Sequence, residues 1–315
     1  MSEPRRQHYV PVFYLEGFAD SNGRLQVFDM QGGEWRQGKP RTVGYVNRLY
    51  DLEGTAPAAM EKALAQVESL VAPMIRRVVE EKRLPESDED LSGLLAFAAV
   101  QAARSPEAIT GAEEFLEDIA QLRNGRPIDG QRRDLIRRSA RDMQVYGGAK
   151  EDPLAELVAC NSRVTTAPSH GTAVMTALGA CEEMYKHLVQ RKWLLAVANE
   201  GCPDFVTCDS PVVTMQKTGK TAKLPRAGFH FPNTIVAFPL NRRVVLLGFN
   251  DGSERSSRHN CDTAAIAGIN AAVIWATHRF VWSRRRRIYY MLNGIVNDPA
   301  LAFAVRRRSS QPPAK

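Results

Sequence analysis

The chain has 315 residues and a mass of 35.0 kDa, enough for one large domain or two domains of ordinary size. Its 44% hydrophobic and 24% charged residues exclude a disordered chain, and no uncharged apolar run reaches the roughly eighteen residues of a membrane-spanning helix. Eight arginines and one acid between residues 279 and 308 account for the whole net charge of +7. The excess charge therefore belongs to the C-terminal end, and the composition does not indicate a globally basic nucleic-acid binder.

Residues 8 to 50 have the pattern of strands and turns, with clear period-two alternation over 25–29. Three- and four-residue spacing then predicts a helix from about 58 to 82, in which Pro73 introduces a kink. A second helix is predicted over 88–103. Ser105 followed by Pro106 provides an N-cap and a first helical residue for a third.

Further helices are predicted over 129–146, 153–160 and 172–190, followed by short apolar strands at 193–197, 205–208, 212–214, 234–240 and 244–249. A mobile loop over 216–233, a helix over 262–280 and a last strand over 288–292 complete the chain. Strands, then helices, then strands indicate an α+β fold, with a mixed or antiparallel sheet formed by the N- and C-terminal segments and packed against the helical middle.

We expect a single α+β domain over 1–283, with a helical subregion at about 58–190, and a basic segment over 284–315 that ends in a disordered tail. The five cysteines are widely spaced and match neither a zinc ribbon nor a redox motif, so free thiols in a reducing compartment are expected. The N-terminus shows no export signal, which favours a cytoplasmic protein without a membrane association. The sequence identifies no cofactor and no metal-ligand set.

Two polar pairs are expected to face inward. Gln7 and His8 directly precede a run of large apolar side chains, which is expected to be buried and to carry His8 inward. Gln101 and Arg104 continue the apolar stripe of the helix over 88–103. A buried arginine needs an acceptor, which here is either a protein carboxylate, Glu61 or Glu68, or an anionic ligand.

Two further features have both a functional and a structural interpretation. Asp209, followed by Ser210, is either a turn former or an acid displayed at a strand end for catalysis or metal binding. Arg284, Arg285, Arg286 and Arg287 lie beside Trp282, Tyr289 and Tyr290. They form either a nucleic-acid surface or a solvated flank to aromatic core residues, and the core interpretation is favoured.

Five groups of residues occur in order along the chain: Gln7-His8-Tyr9-Val10-Pro11 with Phe13-Tyr14-Leu15; Phe97-x-x-x-Gln101-x-x-Arg104-x-Pro106; Trp193-Leu194-Leu195 leading to Thr207-x-Asp209-Ser210-Pro211; Phe238-Pro239-Leu240; and Ile269-Asn270. Their order resembles family 4238 of the bacterial domains of unknown function, over about residues 6 to 283. Members commonly have asparagine where this chain has Ser210. The resemblance implies which residues matter and does not imply a reaction.

If these motif residues converge, His8 is the natural general base or metal ligand, with Asp209 and Gln7 completing the catalytic group. Arg104, Gln101 and Ser210 would then bind an anionic substrate. This arrangement predicts a cytoplasmic hydrolase that acts on a phosphodiester or another anionic substrate, a nuclease of the mobile-element or phage-defence type.

Two alternatives remain open. In the first, the protein binds or interacts without catalysis, and the same residues form a structural polar core. In the second, it binds nucleic acid through residues 284–287 alone, with an affinity that falls steeply with salt. An open pocket lined by His8, Arg104 and Asp209 favours the hydrolase, whereas full burial with mutual hydrogen bonds favours the structural core.

Overall fold

Strands from the two ends of the chain share one sheet, and the helices come from the middle, so the fold is α+β as predicted. The computed structural model describes residues 6–52, 59–134, 136–137, 168–216, 229, 234–250, 257–291 and 295–296. The predicted helix over 153–160, residues 138–146 of another, most of the predicted loop over 216–233 and the predicted tail lie outside these residues.

The helices are α1 (Val12–Glu16), α2 (Ala59–Glu81), α3 (Asp88–Ala103), α4 (Pro106–Arg123), α5 (His170–Gly179), α6 (Cys181–Val189) and α7 (Thr263–Ala276), with a 3-10 turn at Pro40–Thr42. The strands are β1 (Arg6–His8), β2 (Leu25–Asp29), β3 (Glu34–Gly38), β4 (Tyr45–Asn47), β5 (Lys192–Ala198), β6 (Thr207–Cys208), β7 (Val213–Gln216), β8 (Thr234–Asn241), β9 (Val244–Phe249), β10 (Arg258–Cys261), β11 (Phe280–Ser283), β12 (Tyr290–Met291) and β13 (Ile295–Val296).

The sheet that joins the two ends of the chain is antiparallel, in the order β3-β2-β11-β6. Val27 lies opposite Trp282 on one face, and Phe28 lies opposite Val281 on the other. Because neighbouring residues of a strand point to opposite faces, the sheet separates two hydrophobic clusters, each of which contains one of these pairs. The sheet is therefore buried from both sides.

A second, mixed sheet has the order β10-β5-β9-β8-β7, with β10 parallel to β5 and the other pairs antiparallel. Two short antiparallel ladders, β1-β4 and β12-β13, add to these two sheets. The β1-β4 ladder fixes the N-terminal strand by placing Gln7 opposite Val46 and His8 opposite Tyr45.

Local capping signals set the ends of the central helices. The Ser87 side chain accepts a hydrogen bond from the Asp90 N–H at 3.1 Å and begins α3, and Ser105 does the same for α4 through Ala108. Both helices begin where the sequence predicts. Helix α2 contains Pro73 as expected.

Four segments differ from the sequence-based prediction. A short helix, α1, replaces extended chain after Pro11, and a break at Ala180 divides the predicted helix over 172–190 into α5 and α6. Strand β10 was not predicted. The last helix ends at Ala276 instead of continuing to Phe280, because residues 280–283 pair with β2 and β6 as strand β11.

The described part of the C-terminal segment packs onto the fold, since Ile288 and Tyr290 are buried in the same cluster as α7. Four cysteines lie in the described residues and all are free thiols: Cys181, Cys202, Cys208 and Cys261. Among the helices of the described residues, none has the length and apolar character needed to cross a membrane.

Candidate functional site

Gln7 is hydrogen-bonded within the fold at both the nitrogen and the oxygen of its side-chain amide. Its side-chain amide donates to Asp51 Oδ1 at 2.9 Å, and its carbonyl oxygen accepts the Tyr50 N–H at 2.6 Å. The side chain is buried, so these bonds pin strand β1 to the turn that follows β4. Gln7 lies beside the proposed site, but both ends of its amide are already occupied.

Arg104 is a fully buried cation that contacts the N-terminal strand, and its side chain is 1% exposed. Nη1 donates to Glu68 Oε1 at 2.8 Å, and Nη2 donates to the His8 carbonyl. The Tyr50 hydroxyl in turn donates to the Arg104 carbonyl at 2.8 Å. Of the two carboxylates predicted as possible partners of Arg104, Glu61 and Glu68, the structure shows Glu68 as the acceptor. The arginine thereby connects β1 and α2 to the end of α3.

Several buried polar atoms next to Arg104 have no hydrogen-bond partner within the described residues. They are His8 Nε2, Glu61 Oε2, Arg104 Nε and both polar atoms of the Gln101 side chain. A buried polar atom without a partner costs about 1–3 kcal/mol, so such groups are usually satisfied by water or a ligand. We call His8, Glu61, Glu68, Gln101 and Arg104 the His8–Arg104 cluster.

The His8 imidazole lies in a cationic environment. It packs edge-on against the Tyr45 ring, with 5.6 Å between centroids. Burial lowers the pKa of His8 most, and the charges of Arg104, Arg41 and Arg6 lower it further, while a hydrogen bond to the Arg41 backbone opposes them. Because Nε2 has no partner, that bond uses Nδ1. The ring is thus neutral at pH 7 with its lone pair on Nε2.

Glu61 is shifted in the opposite direction. Burial raises the pKa of its carboxyl, and the neighbouring Glu68 raises it further, whereas the Arg104 charge and a hydrogen bond from the His8 backbone lower it. Hence the pKa values of Glu61 and His8 move toward each other. A histidine with a lowered pKa beside a carboxyl with a raised pKa is a pairing found in acid–base sites.

The lowered pKa of His8 predicts a pH-dependent stability. Between the pKa of the folded state and the ordinary value of 6.5, the unfolded chain binds a proton that the folded chain does not, so stability is lost as the pH falls below about 6.5. We expect His8→Gln to flatten this part of the pH profile, measured by urea unfolding between pH 5 and 8.

His170 supplies a matched control with the opposite sign. Its hydrogen bond to Glu113 raises the pKa, so its contribution is lost as the pH rises above 6.5. His170→Gln should therefore flatten the profile on the alkaline side. A His8→Gln protein that keeps the acid-side slope of the wild type would contradict the neutral, buried imidazole.

Asp209 organises the chain between α7 and β11. Oδ1 accepts the His278 N–H at 3.0 Å, and Oδ2 accepts the N–H groups of Arg279 and Phe280, the latter at 3.0 Å. Burial raises the pKa of the Asp209 carboxyl, and these three N–H groups oppose that shift. The carboxylate is 5% exposed and holds residues 278–280 in place for β11.

Tyr9, which follows His8 in the chain, is buried as well. Burial raises the pKa of Tyr9 most, and the negative charge of Asp209 and the hydroxyl of Tyr50 raise it further, so its hydroxyl lies within electrostatic range of both. Among the described residues, no hydrogen bond or ion pair joins Asp209 to His8 or Arg104. Of the predicted site residues, the structure thus joins His8 and Arg104 through the His8 carbonyl, with Gln7 next to His8 on β1 and Gln101 buried one turn before Arg104.

Ser210 and the arginine run lie apart from this cluster. The Ser210 carbonyl accepts a hydrogen bond from Cys208 Sγ. Trp282 and Tyr290 are fully buried, while residues 285–287 are exposed. Arg286 donates to Gln26 at 3.3 Å, and the Arg287 guanidinium lies 5.2 Å from the Tyr289 ring centroid. This arrangement is the favoured interpretation, in which arginines flank aromatic core residues.

The residues around the His8 ring are not predictable from the sequence. Arg6, Arg41 and Tyr45 contact or electrostatically influence it, and Glu61 entered only as a possible partner of Arg104. Tyr45 reaches His8 because β4 pairs with β1, and no local pattern specifies that pairing. Across the residues that the structure describes, there is no group of three or more His, Cys, Asp or Glu side chains that could hold a metal ion.

Neither a curated protein nor a solved structure matches this chain. One family model does match, and its description is "Protein of unknown function (DUF4238)". The match extends over residues 6–287, from strand β1 through the arginine run, and so includes every predicted site residue. Since this match spans most of the 315 residues, the chain belongs to the DUF4238 family.

Proposed function

We propose that this protein is a cytoplasmic binding protein for an anionic ligand, in which Gln7, Arg104 and Asp209 form a structural polar core. One contrast carries the proposal. The charged groups of Arg104 and Asp209 are buried and bonded to Glu68 and to backbone N–H groups, respectively. The exposed Arg6 and Arg41 beside His8, in contrast, make no ion pair with any described residue. The side chains of Gln7, Arg104 and Asp209 are each buried and hydrogen-bonded to other parts of the fold, which is the arrangement expected of structural residues. The free thiols support a reducing compartment.

Binding of fluorescein-labelled heparin oligosaccharide, measured by anisotropy at 50 and 300 mM NaCl, tests this function. We expect binding that weakens with salt, and that weakens again in R6A/R41A, because both arginines would contact anionic groups. R76A/R133A removes the same charge at exposed positions elsewhere and should bind like the wild type. R306Q/R307Q/R308Q controls for the basic tail. Absence of binding at 50 mM NaCl would refute the proposal.

A second candidate function is hydrolysis of a phosphodiester, and the unpartnered Nε2 of His8 favours it. In this mechanism the imidazole takes a proton from the attacking water through Nε2, and the Glu61 carboxyl, whose pKa is raised by burial, donates a proton to the leaving oxygen. Arg6 and Arg41 bind the phosphate. Arg104 acts as a positioning residue, because it holds the His8 backbone and Glu68.

Cleavage of labelled single- and double-stranded oligonucleotides, with and without Mg²⁺, Mn²⁺ or Zn²⁺, tests this candidate. A general base contributes about 10²–10⁴-fold, so H8Q and E61Q should each lower the rate by about that factor while keeping the wild-type circular dichroism spectrum. H170Q is the control histidine variant. Wild-type protein that cleaves under none of these conditions, or H8Q that cleaves normally, would remove the candidate.

A further inference from the structure

We infer that the anionic ligand is single-stranded nucleic acid, bound along an exposed surface beside His8. This surface, called the basic strip, consists of Arg6, Arg36, Lys39, Arg41, Tyr45 and Phe280. The inference rests on the proposed function, since it identifies the class of anion and the surface that binds it. It assigns binding to a part of the molecule that the charge distribution along the sequence does not indicate.

The strip is continuous in the fold. Arg36 lies on β3, and the chain then passes through the exposed Lys39 and Arg41, on either side of Pro40, into β4. Tyr45 on β4 lies opposite His8. The Arg6 guanidinium carbon lies 4.9 Å from the centroid of the Tyr45 ring. At the other end of the strip, the Arg36 guanidinium carbon lies 4.9 Å from the centroid of Phe280.

The positive charge of the strip is not neutralised within the described residues. Arg6, Arg36, Lys39 and Arg41 make no ion pair there, unlike Arg48, which pairs with Asp51, and Arg77, which pairs with Asp90. Glu34, on the same side of β3 as Arg36, is a nearby acid, and it also makes no ion pair. Four unpaired cations in a row match the repeated phosphates of a nucleic-acid backbone.

The two rings hold exposed guanidinium planes at this surface, because Arg6 lies over Tyr45 and Arg36 and Arg279 lie over Phe280. Phe280 carries two guanidiniums, Arg36 at 4.9 Å and Arg279 at 4.7 Å from its centroid, and Arg279 is itself anchored to Asp29 Oδ2 at 3.2 Å. Bases stack on aromatic rings and on arginine planes, but only when their own faces are exposed. In a duplex each base face is covered by its neighbour. Rings interleaved with cations therefore select a single strand.

The buried Asp209 and the half-buried His8 hold these rings in place. The Asp209 carboxylate accepts the backbone N–H of Phe280, and the His8 ring packs edge-on against Tyr45. Gln7 and Arg104 fix the strand that carries His8. The motif residues thus act as positioning residues for the strip, which gives each of them a role that does not need catalysis.

Anisotropy titrations with fluorescein-labelled dT12 and with a 12-base-pair duplex, from 50 to 200 mM NaCl, test the inference. We expect tighter binding of dT12. R36A/R41A should lower the salt slope of its log affinity by about 1.4, because each lost phosphate contact removes about 0.7 for a single strand. F280L should weaken binding about 5- to 150-fold, the range for one stacked base, with the slope unchanged.

R36A/R41A substitutes exposed residues, so the test does not depend on whether F280L folds. R76A/R133A is the charge-matched control and should bind dT12 like the wild type. Equal affinity for the duplex, or binding lost in R284Q/R285Q/R286Q/R287Q and kept in R36A/R41A, would overturn the inference while leaving the anion-binding function intact. Absence of binding to heparin and to both oligonucleotides would remove that function as well.

Discussion

Replacing Arg104 with methionine is expected to lower the free energy of unfolding by about 3 kcal/mol, since it breaks a buried ion pair and leaves the other partner uncompensated. Methionine fills much of the same volume but cannot donate to Glu68 or to the His8 carbonyl. Glu68 is 23% exposed and regains some hydration, which places the expected loss at the lower end of the range for such pairs. Urea unfolding at pH 7 measures it.

Arg77→Met is the matched control, because Arg77 donates to Asp90 at 3.3 Å with its side chain 59% exposed. Exposed pairs contribute roughly 0–1 kcal/mol, so R77M should unfold close to the wild type. A double-mutant cycle with Glu68→Gln assigns the loss to the pair: R104M/E68Q should be little less stable than R104M. Equal losses in R104M and R77M would mean that Arg104 does not stabilise the fold through its buried contacts.

The central helices could be predicted because their signals are local. Ser87 and the Ser105-Pro106 pair each satisfy free N–H groups within one turn of chain, so the sequence alone specifies where α3 and α4 begin. Strand β11 shows the opposite case. Phe280 continues the helical spacing of α7, seven residues after Val273, but the distant Asp209 and the pairing of β11 with β2 and β6 make the chain extended there.

The candidate site was predictable in part for the same reason. Helical spacing places Gln101 and Arg104 on the buried face, and both are 1% exposed. The choice between Glu61 and Glu68 was not predictable, because residues seven apart lie on the same face of α2 and present equivalent carboxylates. The proximity of Arg41 to His8 was not predictable either, because it depends on the pairing of β1 with β4 and on the turn before β4.

Asp209 is expected to be the second position with a large effect, and D209N should lower the free energy of unfolding by about 2–4 kcal/mol. The asparagine oxygen can take the place of Oδ2 and accept the N–H groups of Arg279 and Phe280, but its NH₂ group then faces the His278 N–H, which is left without an acceptor. The loss of the negative charge also weakens the two remaining hydrogen bonds. The variant also weakens the hydrogen bonds that hold residues 278–280, so within the inferred surface it should weaken dT12 binding beyond the effect on stability.

Asp262 provides a control for the amide substitution itself. Its side chain caps α7 by accepting the Ala265 N–H at 2.8 Å, and asparagine caps helices about as well as aspartate. D262N should therefore unfold within about 0.5 kcal/mol of the wild type, since one acceptor is enough at that site. If D209N were as stable as D262N, residues 278–280 would hold their conformation without the buried carboxylate. Asp209 would then be available for the catalytic role that its place at a strand end suggests.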